Sequence, residues 1–154
     1  MRKLVAAVTI VSTDGVSGPA GFTATAVTSV SVDPPTLLVC VNTEGSIHAT
    51  IVENGRFCVN LLSDDQTELS NIFSGSTDLA PADRFVAGEW DNVPGYAPRL
   101  LTSCASFQCA VSKTLDVATH LVVFGEVLDV NVADEEATGL LYMDRGYRKI
   151  GDPA

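Results

Sequence analysis

The stretch Gly21–Asn42, GFTATAVTSVSVDPPTLLVCVN, constrains what this chain can fold into more than any other. Asp33 is its only charged residue, and Thr, Ser and Val dominate it. Branched side chains suit the pleated surface of a sheet, so two β segments are predicted, Gly21–Val32 and Thr36–Val41. Prolines cannot donate to a ladder, which puts the join at Asp33–Pro34–Pro35. Hydroxyls recur through this apolar run at Thr23, Thr25, Thr28, Ser29 and Ser31. A buried hydroxyl costs free energy unless it finds a partner. Either backbone groups supply those partners or a polar ligand lies along the strand.

The flanking sequence extends the β pattern with two helical interruptions. Val5–Ser12 is a strand candidate, followed by a turn at Thr13–Asp14–Gly15. Beyond the focal stretch, the polar loop Asn42–Ser46 leads into Ile47–Asn54. There Ile47 and Ile51 share a helical face, Ser46 can cap the start, and Gly55 can end it. Arg56–Leu62 reads as a buried strand. Ser63 and Gln66 form a capping box before a second helix, with Leu69, Ile72 and Phe73 facing inward and Gly75 as its stop. Cys104–Leu115 alternates, with Phe107, Cys109 and Val111 on one face and Ser106, Gln108 and Ser112 on the other. His120–Ala133 is a long apolar strand in which Gly125 marks a bend or bulge. Asp134–Thr138 reads as a turn and Gly139–Met143 as a last strand. With no βαβ alternation and no dividing linker, residues 1–154 read as one mainly β domain with short helices, a closed or nearly closed barrel.

Charge and cysteine usage narrow the partners. Nine Lys and Arg against nineteen Asp and Glu give a net charge of -10, with no basic cluster. Nucleic acid is therefore excluded as a partner and binding to an anionic membrane is disfavoured. A small anionic ligand stays open, because helix starts and backbone amides hold phosphate without net positive charge. No apolar run reaches the length of a membrane span. Met1–Lys3 is basic and Leu4–Val11 apolar, but the run is short and leads into a turn, so it reads as a first strand rather than a secretory signal. Cys40, Cys58, Cys104 and Cys109 lie in strand-like segments without a CxxC spacing or clustered histidines. They read as reduced, buried thiols of a cytoplasmic protein, and no metal site is expected.

The motifs GxGxxG, GxxxxGK[ST] and GxSxG are all absent, which leaves no Rossmann, P-loop or hydrolase signature. Of the two histidines, His48 reads as a helix-face residue. His120 opens an apolar strand, where a satisfied strand-end histidine and a site residue fit the pattern equally. Glu126 needs a cation or solvent, and no catalytic dyad or triad emerges. The loop Asn42–Ser46 is a better candidate, since it presents free amides and the positive end of a helix dipole to an anion. Joined to the hydroxyl-rich strand, it suggests one ligand, with a polar ring along the strand and a phosphate at the helix start.

Several runs taken together carry a resemblance. They are GFTATAVTSVSVDPPTLLVCVN, the N-x-x-x-S loop at Asn42–Ser46, GRFCVNLLSDDQTELSNIFSG, DRF at Asp83–Phe85, THLVVFGEV at Thr119–Val127 and GLLYMDRGY at Gly139–Tyr147. In this order they resemble the short-chain NAD(P)H:flavin oxidoreductases, a flavin reductase-like family with the FMN-binding split-barrel fold. The Thr-His-Leu-Val form is most similar to the reductase component of 4-hydroxyphenylacetate 3-monooxygenase. Pyrimidine-degradation reductases and a cob(II)yrinate diamide reductase look similar too.

The resemblance implies NAD(P)H-dependent reduction of FMN or FAD, with NADH or NADPH as donor and reduced flavin supplied to a partner monooxygenase. It also implies a homodimer with the flavin near the subunit interface. By position, Thr23, Ala24, Thr25, Ala26, Ser29, Val30 and Ser31 would line the isoalloxazine, largely through backbone groups. Asn42 and Ser46 would hold the flavin phosphate with Arg84 as a neighbour, and His120 and Tyr147 would face the nicotinamide. Hydride transfer is chemistry of the two cofactors, so no catalytic acid or base is expected. Three departures stand out. Most relatives have Gly-Asp-His, and a closer subgroup Gly-Thr-His, where this chain has Ala118–Thr119–His120. Gly146 replaces the second of two adjacent arginines. The chain also begins almost on its first strand, where relatives begin with a helix. Alternatives on related barrels are electron delivery to a corrinoid, a non-catalytic flavin-binding module, and an oxidase of the pyridoxamine phosphate type.

Overall fold

The computed structural model describes residues 2–133 and 137–150, so residues 134–136 of the expected turn lie outside the described residues. In chain order the elements are β1 (Ala6–Ala7), β2 (Thr9–Thr13), β3 (Ala20–Ala24), β4 (Val27–Val32), β5 (Pro35–Asn42), α1 (Ile47–Asn54), β6 (Arg56–Leu61) and α2 (Thr67–Phe73). A 3-10 turn at Asp83–Val86 follows, then β7 (Trp90–Asp91), β8 (Arg99–Leu100), β9 (Ala105–Val117), β10 (His120–Val132), β11 (Leu141–Met143) and β12 (Gly146–Arg148).

Seven strands form one antiparallel sheet in the order β3-β2-β6-β9-β10-β5-β4. Its two edge strands, β3 and β4, are consecutive in the chain and separated only by Thr25 and Ala26. The Cys40 N–H donates to the Ala26 carbonyl at 3.0 Å, tying that link to β5. The sheet therefore curls until its edges meet at a seam, which makes the mainly β fold a barrel. Apolar side chains fill it from all sides, among them Val11, Ala24, Val39, Phe57, Cys109 and Val123, with Ile51 entering from α1. The long strand β10 bends where its register slips between Phe124 and Gly125. A Cβ at Gly125 would lie 2.4 Å from the Phe57 ring, so the packing there requires glycine.

The seam also explains where the strand expectations needed revision. Gly21–Val32 is two strands rather than one, because the chain must leave one barrel edge and join the other at Thr25–Ala26. The expected first strand likewise divides at Val8, whose N–H donates to Leu140 O at 2.9 Å and whose carbonyl accepts from Leu62 N–H at 3.0 Å. Helix α1 keeps its expected bounds and ends on Gly55 at φ +68°, but Ser46 makes no side-chain capping bond. Only half of the capping box before α2 forms. Gln66 Oε1 accepts from Ser63 N–H at 2.9 Å, while the Ser63 hydroxyl turns to Asp65, and the helix starts at Thr67.

A second apolar cluster sits outside the barrel. Val8, Ile10, Leu62, Phe73, Leu100 and Leu140 pack there with Phe85 and Trp90, whose ring centroids lie 4.9 Å apart. The polar face of β9 is covered too. Gln108 bonds both the N–H and the carbonyl of Ala97, at 3.1 and 2.8 Å, and Asn60 Oδ1 accepts from Leu100 N–H at 2.8 Å. Buried polar side chains thus pin the loop between β7 and β8 across the barrel wall.

Candidate functional site

Beside the seam runs a groove in two compartments that share Thr23 and Ser74. The larger, about 410 Å³, is lined by Thr23 and Thr25, by Ser70, Asn71 and Ser74 on α2 and its end, and by Tyr142, Arg145 and Tyr147 on the β11–β12 hairpin. The smaller, about 250 Å³, is lined by Phe22, Val41, Asn42, Gly45, Ile47 and Arg84 among others.

Arg84 dominates the smaller compartment. It is 8% exposed, and one terminal nitrogen donates to Gly21 O at 2.9 Å and Phe73 O at 3.1 Å. Its Nε is buried without a partner, and none of the ion pairs among the described residues includes it. Burial pushes its pKa below the usual arginine value, yet a guanidinium stays charged in proteins. Glycine at position 21 is needed for this arrangement, since a Cβ there would lie 2.7 Å from the Phe73 ring. A desolvated cation without a carboxylate is costly, and an anion in the compartment would offset that cost.

The loop after β5 faces the same space. Asn42 Oδ1 accepts the Glu44 N–H at 2.8 Å, so its amide NH₂ has no partner among the described residues and is free to donate. Thr43 fastens the loop from behind, its N–H and Oγ1 both donating to Thr119 O at 3.0 and 3.1 Å. Ser46 stands exposed at the start of α1, between the lining residues Gly45 and Ile47. A cation, an amide donor and a helix start make this end of the groove suited to phosphate.

The larger compartment is polar and aromatic. Thr23 Oγ1 donates to Ser70 O at 2.6 Å, and the Tyr147 hydroxyl lies 2.9 Å from both Ser70 Oγ and Asn71 Oδ1. Tyr142 meets Tyr147 edge to face at 5.3 Å. These bonds hold the C-terminal hairpin against α2, forming a wall a flat ring could lie along.

Thr23, Thr25, Asn42, Arg84 and Tyr147 are thus brought onto one groove. Ala24 points into the barrel core, which leaves only its backbone beside the groove, and the Ala26 carbonyl is taken by Cys40 N–H. Ser29, Val30 and Ser31 lie exposed on the edge strand β4 and line neither compartment. The hydroxyls of the focal stretch therefore need little special provision. Thr23 finds a backbone carbonyl, while Thr25, Thr28, Ser29 and Ser31 are exposed. His120 pairs with Asn42 in the β5–β10 ladder, and its Nδ1 lies 2.9 Å from Thr119 Oγ1. It lines neither compartment, so His120 and Tyr147 do not share a pocket within one chain.

Ser70, Asn71, Ser74, Tyr142 and Arg145 line the groove without having been singled out from sequence. Their signal was faint but present. Ser70 lies on the helix that Leu69, Ile72 and Phe73 mark in the sequence, Ser74 stands at its end, and two tyrosines flank the Asp144–Arg145 turn. Asp144 and Arg145 both have positive φ, 53° and 64°, which turns the hairpin tightly enough to set both rings on one wall.

Known proteins are similar to this chain in sequence and fold. The flavin reductase like domain family matches residues 1–151. FMN reductase (NADH) RutF of Stutzerimonas stutzeri is 46% identical over 150 residues, covering 97% of this chain and 84% of that protein. The NADH:FAD oxidoreductase SgcE6 of Streptomyces globisporus superposes with a TM-score of 0.90 at 26% identity, over 99% of this chain and 90% of that one. The styrene monooxygenase flavin reductase of Pseudomonas putida S12 gives a TM-score of 0.81 at 26% identity, over 98% and 95% of the two chains. With the barrel, the groove and the motif order all in place, this chain belongs to the flavin reductase like domain family.

Proposed function

We propose that this protein is an NAD(P)H:flavin oxidoreductase that reduces FMN or FAD with NADH as donor and supplies reduced flavin to a partner monooxygenase. Within a flavin reductase family member, one observation carries the reading. A buried arginine with no counter-ion among the described residues faces a groove whose other compartment is polar and aromatic. Arg84, the Asn42 amide and the start of α1 at Ser46 hold the flavin phosphate. Thr23–Ala26 border the isoalloxazine largely through backbone, and Tyr147 faces the nicotinamide. His120 is assigned to the nicotinamide by resemblance, from a position next to the phosphate end. The flavin and nicotinamide supply the redox chemistry between themselves. The chain's task is to hold the two rings together and keep water out, and it needs no strong acid or base.

Residues 1–154 act as one cytoplasmic domain and pair as a homodimer. Val30, Val32, Leu115, Val117, Leu128, Val130 and Val132 are exposed on β4, β9 and β10, an apolar surface that a second copy would cover. Ser29–Ser31 lie exposed on β4 beside Val30 and Val32, which would bring them to a flavin only across the dimer.

The test is to mix the protein with NADH or NADPH and with FMN or FAD, and to follow loss of the NADH absorbance band. Saturable turnover with NADH and FMN is expected. Flavin binding without turnover for every pair would instead identify a non-catalytic flavin-binding module.

A further inference from the structure

We infer that Thr43 is a positioning residue for the flavin phosphate, acting through its two hydrogen bonds to the β9–β10 turn; this rests on the phosphate reading of the Asn42–Ser46 loop. The last register pair between β5 and β10 is Asn42 with His120. Thr43 continues the ladder by one step, donating its N–H to Thr119 O at 3.0 Å, and its hydroxyl donates to the same oxygen at 3.1 Å. That oxygen belongs to a two-residue turn joining two strands of 13 residues each, whose ladder ties the turn to the sheet. The next residue, Glu44, is tied back to the Asn42 side chain at 2.8 Å. Beyond it, a Cβ at Gly45 would meet nothing within 4 Å, so among the described residues no side chain braces the loop in that direction.

Thr43 is therefore the fixed point from which the loop presents the Asn42 amide and the amides before α1. A bond pattern that preorganises donors raises affinity for the group they contact by reducing what must be ordered on binding. Removing the Thr43 hydroxyl leaves the backbone ladder bond in place and loosens the loop. The effect should fall on phosphorylated flavins and spare riboflavin, which has the ring and ribityl chain without the phosphate. A merely structural role would affect both acceptors alike.

The experiment measures KM and kcat for FMN and for riboflavin, with saturating NADH, in the wild type, Thr43→Val and Thr43→Ser. Thermal midpoints are recorded alongside to exclude unfolding. Expected for Thr43→Val is a rise in the FMN KM of roughly three- to tenfold, the size of one lost hydrogen bond. The riboflavin KM and both kcat values should stay near wild type, and Thr43→Ser should restore the FMN KM. An unchanged FMN KM in Thr43→Val, or an equal rise for both acceptors, overturns the role. If the wild type itself shows no preference for FMN over riboflavin, the phosphate reading fails before any variant is made.

Discussion

A guanidinium taken out of water without a carboxylate beside it is costly, and Arg84, which pairs with no carboxylate among the described residues, is held by the carbonyls of Gly21 and Phe73. Two further substitutions probe the groove at the scale of single residues. Ser46→Asp puts a negative charge where α1 begins, and like charges close together repel. Flavin titration by fluorescence should show FMN affinity reduced about tenfold or more, and equal affinity would count against the phosphate site. His120→Ala is expected to raise the NADH KM or lower kcat while leaving the FMN Kd near wild type. Because His120 pairs with Asn42 rather than lining Tyr147's compartment, the opposite split is informative. Lost FMN affinity with normal NADH kinetics would move His120 to the phosphate end.

Turns and bulges dominate the account at the level of elements. Ala118 adopts φ +50° in the β9–β10 turn, a conformation that costs a residue with a Cβ about 1 kcal/mol. Ala118→Gly should therefore raise stability by about 0.5–1 kcal/mol in denaturant unfolding; a lower midpoint would mean that the turn carries no such strain. Gly125→Ala should do the reverse, destabilising by about 1–3 kcal/mol through overpacking against Phe57. An unchanged midpoint would show that the bulge has room to shift. These elements also show what was legible in sequence. α1, its Gly55 end and the Gly125 bulge were all visible, because each rests on local periodicity or a glycine's missing Cβ. The break at Thr25–Ala26 was not, because nothing local interrupts the pattern there; closure of the barrel does. Asn42 was legible as part of a loop suited to an anion, but that Arg84 pairs with no carboxylate among the described residues is a tertiary fact. So is the separation of His120 from Tyr147, which depends on which strands flank the groove.

For the molecule as a whole, the apolar surface on β4, β9 and β10 and the buried thiols make separate predictions. Val32 is 92% exposed, and covering such apolar surface with a second copy is favourable. Sedimentation should find a dimer in the wild type and dissociation in Val32→Asp combined with Leu128→Asp; a monomeric wild type would contradict the paired assembly. Burial pushes the Cys58 and Cys109 thiols up from 9.0 to about 12. The folded state then keeps protons that the unfolded chain releases as pH rises past about 9. The contribution to stability is full below that pH and is lost progressively between pH 9 and 12, by up to about 1.4 kcal/mol per pH unit per thiol. Thermal midpoints should fall across that window, and Cys58→Val should flatten the fall; an identical slope in the variant would remove the thiol from the explanation.

The groove's claim to be the flavin's seat is tested most directly by initial rates of NADH oxidation in wild type and Arg84→Met, with FMN and with riboflavin as acceptors. The expected result is turnover by the wild type and a kcat/KM for FMN at least about tenfold lower in Arg84→Met, as loss of a charge-assisted contact implies, with riboflavin reduced nearly as well as before. A wild type that oxidises NADH with neither acceptor, or a variant whose preference between FMN and riboflavin is unchanged, would contradict it.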